Sequence, residues 1–158
     1  MSIRNLRFFL ALAAVMTVPA LAQTTTTTRT SSSSFPLVGL ASTETIGVNL
    51  INLASNTTSG TAASCTGTVA FLNSAGTTIG TATTFTLTAD AVTSVTLAFS
   101  SSGLTSPRGL IRAVLTSTDT SNVPCALSTT LNTYDTTTGV THVFLTGSGA
   151  TSGLNPGH

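Results

Sequence analysis

The side chains able to carry acid, base, nucleophile or metal chemistry are few. They are Glu44, Asp90, Asp119 and Asp135, His142 and His158, Cys65 and Cys125, and five arginines with no lysine. Acid–base hydrolysis wants two carboxylates in one cleft, one of them with a raised pKa. Here the acids are scattered. Asp90, Asp119 and Asp135 fall in predicted turns, where aspartate serves by hydrogen bonding to the backbone. Glu44 stands just before an apolar alternation and reads as a solvated carboxylate at a strand edge. A nucleophilic triad needs Ser or Thr beside His, with an acid to orient the ring. His142 and Asp135 flank the last predicted hairpin and are the pair placed to approach, whereas His158 lies in a Gly-rich terminal stretch that cannot hold it. No G-x-S-x-G is present, and the expectation for His142 is an ordinary surface histidine. One His with scattered Asp falls short of the three or four ligands zinc takes. Turn aspartates and carbonyls are calcium-type donors, but their turn duty accounts for them. No catalytic residue, metal ligand or cofactor is therefore assigned.

Cys65 and Cys125 are the two cysteines, each at an inward position of a predicted strand. A redox or metal role wants close spacing such as C-x-x-C, which is absent, so an exported chain with this pair is expected to form a structural disulfide. Closing a loop of about 60 residues stabilises by roughly 4 kcal/mol on chain-entropy reasoning.

Arg108 and Arg112 are candidates for contact with a carboxylate or an acidic partner. Arg112 is opposite in parity to Ile111 and Ala113 and so projects from a sheet face, with Arg108 where the strand begins; edge protection of a low-charge surface is the plainer role. Thr84, Thr86 and Thr88 alternate on one strand face, the spacing of a flat threonine array, but other strands do not repeat it. Sugar-stacking platforms are scarce, with no Trp and Tyr134 the one Tyr. Asn56-Thr57-Thr58 is formally a glycosylation sequon.

The elements that position these residues follow from the ends inward. Residues 1–22 read as a bacterial-type secretory signal peptide: Arg4 and Arg7, then an apolar run, then Ala20-Leu21-Ala22 with cleavage after Ala22. That run is about 14 residues, too short for roughly 30 Å of hydrocarbon, so the mature chain is expected to have no membrane span. The expected location is extracellular, periplasmic or at the cell surface. Removing the leader leaves Arg29, Arg108 and Arg112 against four acids, a formal side-chain charge of −1. Such a chain lacks the basic face that nucleic acid requires.

Residues 23–36, including "QTTTTTRTSSSS", bury nothing apolar before Phe35, and are expected to form a flexible Thr/Ser-rich tether. A sharper alternative is an extended segment that pairs with a sheet edge of another copy. From Phe35 the pattern turns to period two. Ile46, Val48 and Leu50 share a face; Ile51 and Leu53 switch parity, which predicts a bulge or a doubly covered strand. Cys65, Val69 and Phe71 align, then an Asn73–Gly76 turn precedes Phe85 and Leu87. Val95, Leu97 and Phe99 follow, then Ile111, Ala113 and Leu115, then Cys125, Leu127 and Leu131. A turn with Gly139 in a left-handed conformation leads to the last strand. Seven to eight short strands without a helix predict an all-β, two-sheet antiparallel, immunoglobulin-like sandwich over residues 37–147, with 148–158 a disordered tail.

The disulfide is expected to pin one sheet to the other, as in immunoglobulin domains, although the tryptophan that packs on that bridge is missing. The order of "VGL", "IGVNLIN", "FLNSAG", "RGLIRAVL" and "CALSTTLNTYDTTTGVTHVFL" also resembles small exported bacterial immunoglobulin-like β-sandwich proteins of uncharacterised function, over most of residues 37–146. That resemblance brings no active residues with it. The expected function is a secreted, non-catalytic structural or interaction module, with self-association through strand edges as one form. A monomeric extracellular domain for a glycan or protein partner is the alternative.

Overall fold

The computed structural model describes residues 28–54, 64–119 and 125–147. The expected signal peptide, residues 23–27 of the expected tether, the expected C-terminal tail, the Asn56 sequon and His158 lie outside the described residues.

Nine strands form two antiparallel sheets among the described residues. They are β1 (Arg29–Ser34), β2 (Val38–Ala41), β3 (Glu44–Asn52), β4 (Cys65–Asn73), β5 (Thr78–Leu87), β6 (Val92–Ala98), β7 (Arg108–Asp119), β8 (Leu127–Asp135) and β9 (Thr141–Gly147), with one 3-10 turn at Phe99–Ser101. In the first sheet β7 pairs with β4 and β4 with β5, while β1 and β2 lie one after the other along the free side of β7. The second sheet runs β6-β3-β8-β9. The hairpins between consecutive strands are β4–β5 and β8–β9; most other connections cross between the sheets. The chain is an all-β two-sheet sandwich. No helix among the described residues is long and apolar enough to cross a membrane.

Alternation makes the core. Ile46, Val48 and Leu50 of β3, Val69 and Phe71 of β4, Phe85 and Leu87 of β5, Val95 of β6, Ile111, Ala113 and Leu115 of β7, and Leu131 of β8 are all buried between the sheets. Each fully buried Leu or Ile removed from water contributes about 1.5–3 kcal/mol. Cys65 heads β4 in the first sheet, and Cys125 lies two residues before β8 in the second. Their disulfide therefore ties the sheets together, as the inward parity predicts.

Three sequence expectations need correction, and one pair of alternatives is resolved. Arg29–Ser34, expected as flexible tether, is the edge strand β1, because backbone pairing to β7 needs no apolar side chain. This strand raises the count to nine. The parity switch at Ile51 marks no bulge, and the other alternative, a strand covered on both faces, fits β3, whose outer-face Thr45 and Gly47 are also buried. β3 pairs in unbroken register on both sides, and Ile51 lies half-buried on the outer face, with Leu53 exposed beyond the strand end. Asp119 is the last residue of β7, opposite Arg29 in register, and not in a turn. Glu44 is buried, for reasons given below.

Two turns behave as their residues dictate. Asn73 Oδ1 accepts the N–H groups of Ala75 and Thr77 at 3.0 and 2.9 Å, and Gly76 takes φ +81°, a conformation costly for any residue with a Cβ. Between β5 and β6, buried Asn52 is a clamp that no sequence signal singled out. Its Nδ2 donates to the Leu87 carbonyl and its Oδ1 accepts from Ala54 N–H, while its own carbonyl accepts from Asp90 N–H. Asn52 belongs to the second sheet and Leu87 to the first, so one amide holds both layers.

Candidate functional site

One end of the sandwich gathers two acids, an arginine and a histidine. The β2–β3 turn and the β8–β9 turn meet there, where both the backbone N–H and the Oγ1 of Thr136 donate to the Thr43 carbonyl at 2.9 Å. Ser42 N–H donates to the Pro107 carbonyl at 3.0 Å, which draws the start of β7 to the same place. Glu44, Arg108, Asp135 and His142, dispersed along the chain, thereby converge.

Asp135 has a turn role, as its surroundings in the sequence imply. Its Oδ1 accepts the N–H groups of Thr137 and Thr138 at 2.9 and 2.8 Å and the Thr138 hydroxyl at 3.0 Å. Gly139 completes the turn at φ +72°. The Thr138 N–H, the Thr43 hydroxyl and the Thr137 N–H hold the carboxyl down at about 2. Its oxygens are engaged in the turn, so Asp135 does not orient His142.

Glu44 fills that place instead. It shares the inward parity of Ile46, Val48 and Leu50 and is only 6% exposed. Its Oε2 accepts Ala41 N–H at 2.7 Å, and its Oε1 pairs with Nδ1 of His142. Burial by itself pushes the carboxyl up. The His142 hydrogen bond, the Ala41 N–H and the charges of His142 and Arg108 outweigh it, leaving the group below its ordinary value. His142 meets Glu44 from an exposed position at a β-bulge. Thr133 pairs with Val143 and Tyr134 with Thr141, so His142 is the extra residue on β9. Such an insertion re-aims a side chain that strict alternation would leave on the other face.

The expectation of a solvated Glu44 is thus corrected, whereas His142 is exposed as expected and additionally pairs with Glu44. Glu44's parity with Ile46 was a signal available in the sequence, whereas the bulge at His142 was not. The pair joins β3 and β9, two strands separated by β8, and its geometry is that of a structural clasp. Among the described residues His142 hydrogen-bonds to no Ser or Thr hydroxyl, and no cluster of three His, Cys, Asp or Glu could hold a metal.

Arg108 and Arg112 lie where parity placed them, on the outer face of the first sheet. Arg108 is opposite Ala41 on β2, and Arg112 opposite Leu72 on β4. Between them Leu110 is half exposed and faces Gly39. The Arg108 guanidinium lies over Gly39 so closely that a Cβ there would come within 2.5 Å of Nε. Arg112 extends toward Gly76 in the β4–β5 turn. Neither arginine forms an ion pair among the described residues. The result is a solvent-facing stripe of cation, apolar side chain and cation. Thr84 and Thr86 on β5 face solvent in alternation, as any outward sheet face of this composition does.

The remaining surface of interest is the edge formed by β1. Its inward positions carry Ser31 and Ser33 rather than apolar groups, and Ser31 Oγ meets Ser117 Oγ at 2.6 Å. Thr30, Ser32 and Ser34 are exposed. Immediately after it, Phe35 is buried with its ring against Gly147 at the end of β9, and its N–H donates to the Ala113 carbonyl at 2.9 Å.

Comparison of the chain with protein-family models, with curated proteins and with solved structures finds no match.

Proposed function

We propose that this chain is an exported, non-catalytic structural or interaction module that self-associates through its strand edges, as a subunit of a surface or fibre assembly. The observation that carries the reading is β1, a wholly polar edge strand held to β7 by backbone pairing. An exposed edge of unpaired N–H and C=O groups is a template for another strand. Long edges are normally blunted by lysine, proline or inward charge. The β1 residues include no lysine or proline, and their one charge is Arg29 at the strand start. A mature side-chain charge of −1 offers little repulsion between copies. The leader-like first 22 residues and the inter-sheet disulfide support an oxidising, exported setting. The paired strands and inter-sheet bridge are compatible with the immunoglobulin-like resemblance.

The test is light scattering with negative-stain imaging on residues 23–158, secreted with the disulfide intact. Discrete oligomers, rings or fibres are expected, and deletion of residues 23–34 should abolish them. A clean monomer at all accessible concentrations overturns the reading.

The Arg108–Leu110–Arg112 stripe favours a second reading, a monomeric extracellular domain that binds a glycan or protein bearing carboxylates. It expects an acidic ligand to raise the melting temperature of the monomer, and Arg108→Ala with Arg112→Ala to remove that rise.

A further inference from the structure

Resting on the reading of self-association, we infer that β1 is the exchanged element: it leaves its own β7 and pairs with β7 of a second copy. Three features of the chain converge on this strand.

The first is what β1 does not bury. From Arg29 to Ser34 there is no apolar side chain, and its side-chain hydrogen bond across the pair is that of Ser31 with Ser117. Six backbone partners, from Arg29↔Asp119 to Ser34↔Val114, supply most of its attachment. All of these are re-formed intact when the same strand from another copy takes its place. Exchange of an identical element costs only the association entropy, because each hydrogen bond broken within one chain is made again between two chains.

The second is the junction. β1 is separated from β2 by Phe35, Pro36 and Leu37 alone. Phe35 is anchored in the core and Pro36 has a fixed φ, so β1 is a short arm that pivots beyond a firmly held residue. Leu37 is half exposed and offers no second anchor.

The third is the surface left behind. With β1 gone, β7 presents backbone from Val114 to Asp119 as an open edge, and inward Leu115 and Ser117 lose their cover. β2 still blocks the Arg108–Ile111 part of the same edge. The opening is therefore bounded by β2 at one end, and over the described residues it matches the length of one β1. The complementary occupant is the segment with that length and polarity, which is β1 of another copy.

Residues opposite in register give the test. One chain carries Ser32→Cys, a second carries Thr116→Cys, and the two are co-secreted. A third protein carries both substitutions in one chain. Both sites lie on the outer face, so neither substitution disturbs the core. Strand exchange expects a disulfide-linked pair of twice the chain mass from the co-secreted single variants. Its yield should be at least fivefold that of either single variant alone, with peptide mapping placing the new bridge between positions 32 and 116. If the doubly substituted chain bridges only internally, and the co-secreted variants stay unlinked in protein that still sediments as an oligomer, exchange is overturned while self-association stands. If the protein is a monomer throughout, both fall. If position 32 bridges to position 116 in none of the proteins, the β1–β7 pairing itself is absent and the inference fails with it.

Discussion

His142 on β9 and Glu44 on β3 meet although their strands do not pair with one another; β8 lies between them. The contact needs Glu44 to point inward by parity and the solvent-exposed His142 to stand at the bulge of β9. It ties the last strand to the first long one at the end of the sandwich where the β2–β3 and β8–β9 turns already touch.

A carboxyl held below its ordinary value in the fold stabilises above the unfolded pKa, and that contribution is lost as pH falls through the folded pKa. The unfolded reference is 4.5, so the loss begins below about that pH. Thermal unfolding followed from pH 7 down to acid should show a falling melting temperature, and Glu44→Gln should flatten that limb. His142→Ala, which leaves the buried carboxylate with only Ala41 N–H and the more distant Arg108, should cost about 1 kcal/mol near pH 6. Identical acid limbs for Glu44→Gln and the parent would show that the pair contributes nothing to stability.

Asn52→Leu is similar in size but removes the amide that bonds to the Leu87 carbonyl and Ala54 N–H. Both partners are left without it in a buried setting, where an unsatisfied group costs about 1–3 kcal/mol. Denaturant titration should show a lower midpoint with an unchanged slope. A midpoint within error of the parent would mean that the inter-layer clamp carries no net stability.

Gly67→Ala places a Cβ 2.2 Å from the Thr116 carbonyl oxygen and 2.7 Å from the Phe85 ring. The ring can move but the neighbouring strand cannot, so overpacking of about 1–3 kcal/mol is expected. Calorimetry reads it as a fall in melting temperature. Because Phe85 lies across Gly67, Phe85→Leu combined with Gly67→Ala should recover part of the ring clash and none of the backbone clash.

Limited proteolysis locates the N-terminal boundary. With β1 on the sheet, a broad protease should leave a resistant fragment beginning near Arg29, not near Leu37. Mass spectrometry of the trimmed protein decides. Fragments that consistently begin after Phe35 would place β1 off the sheet in solution.

Much of the architecture was legible from local pattern. The alternations that aligned Ile46 with Leu50, Cys65 with Phe71 and Ile111 with Leu115 all became core, because a period-two strand with one apolar face has one way to bury it. The left-handed Gly139 and the Asn73 and Asp135 turns were readable for the same reason: their chemistry is complete within a few residues. An inter-sheet disulfide followed from inward cysteines far apart in a chain whose leader-like start predicts export.

What the sequence alone could not decide is what depends on a partner distant along the chain. A run of Ser carries no burial signal, and whether Arg29–Ser34 hangs free or lies on β7 turns on backbone edges that composition does not report. The clasp between Glu44 and His142, 98 residues apart, exists because sheet order brings β3 within one strand of β9 and a one-residue bulge rotates the ring. Local periodicity sets which face a side chain takes. Only the tertiary structure sets which strand, from which part of the chain, that face then meets.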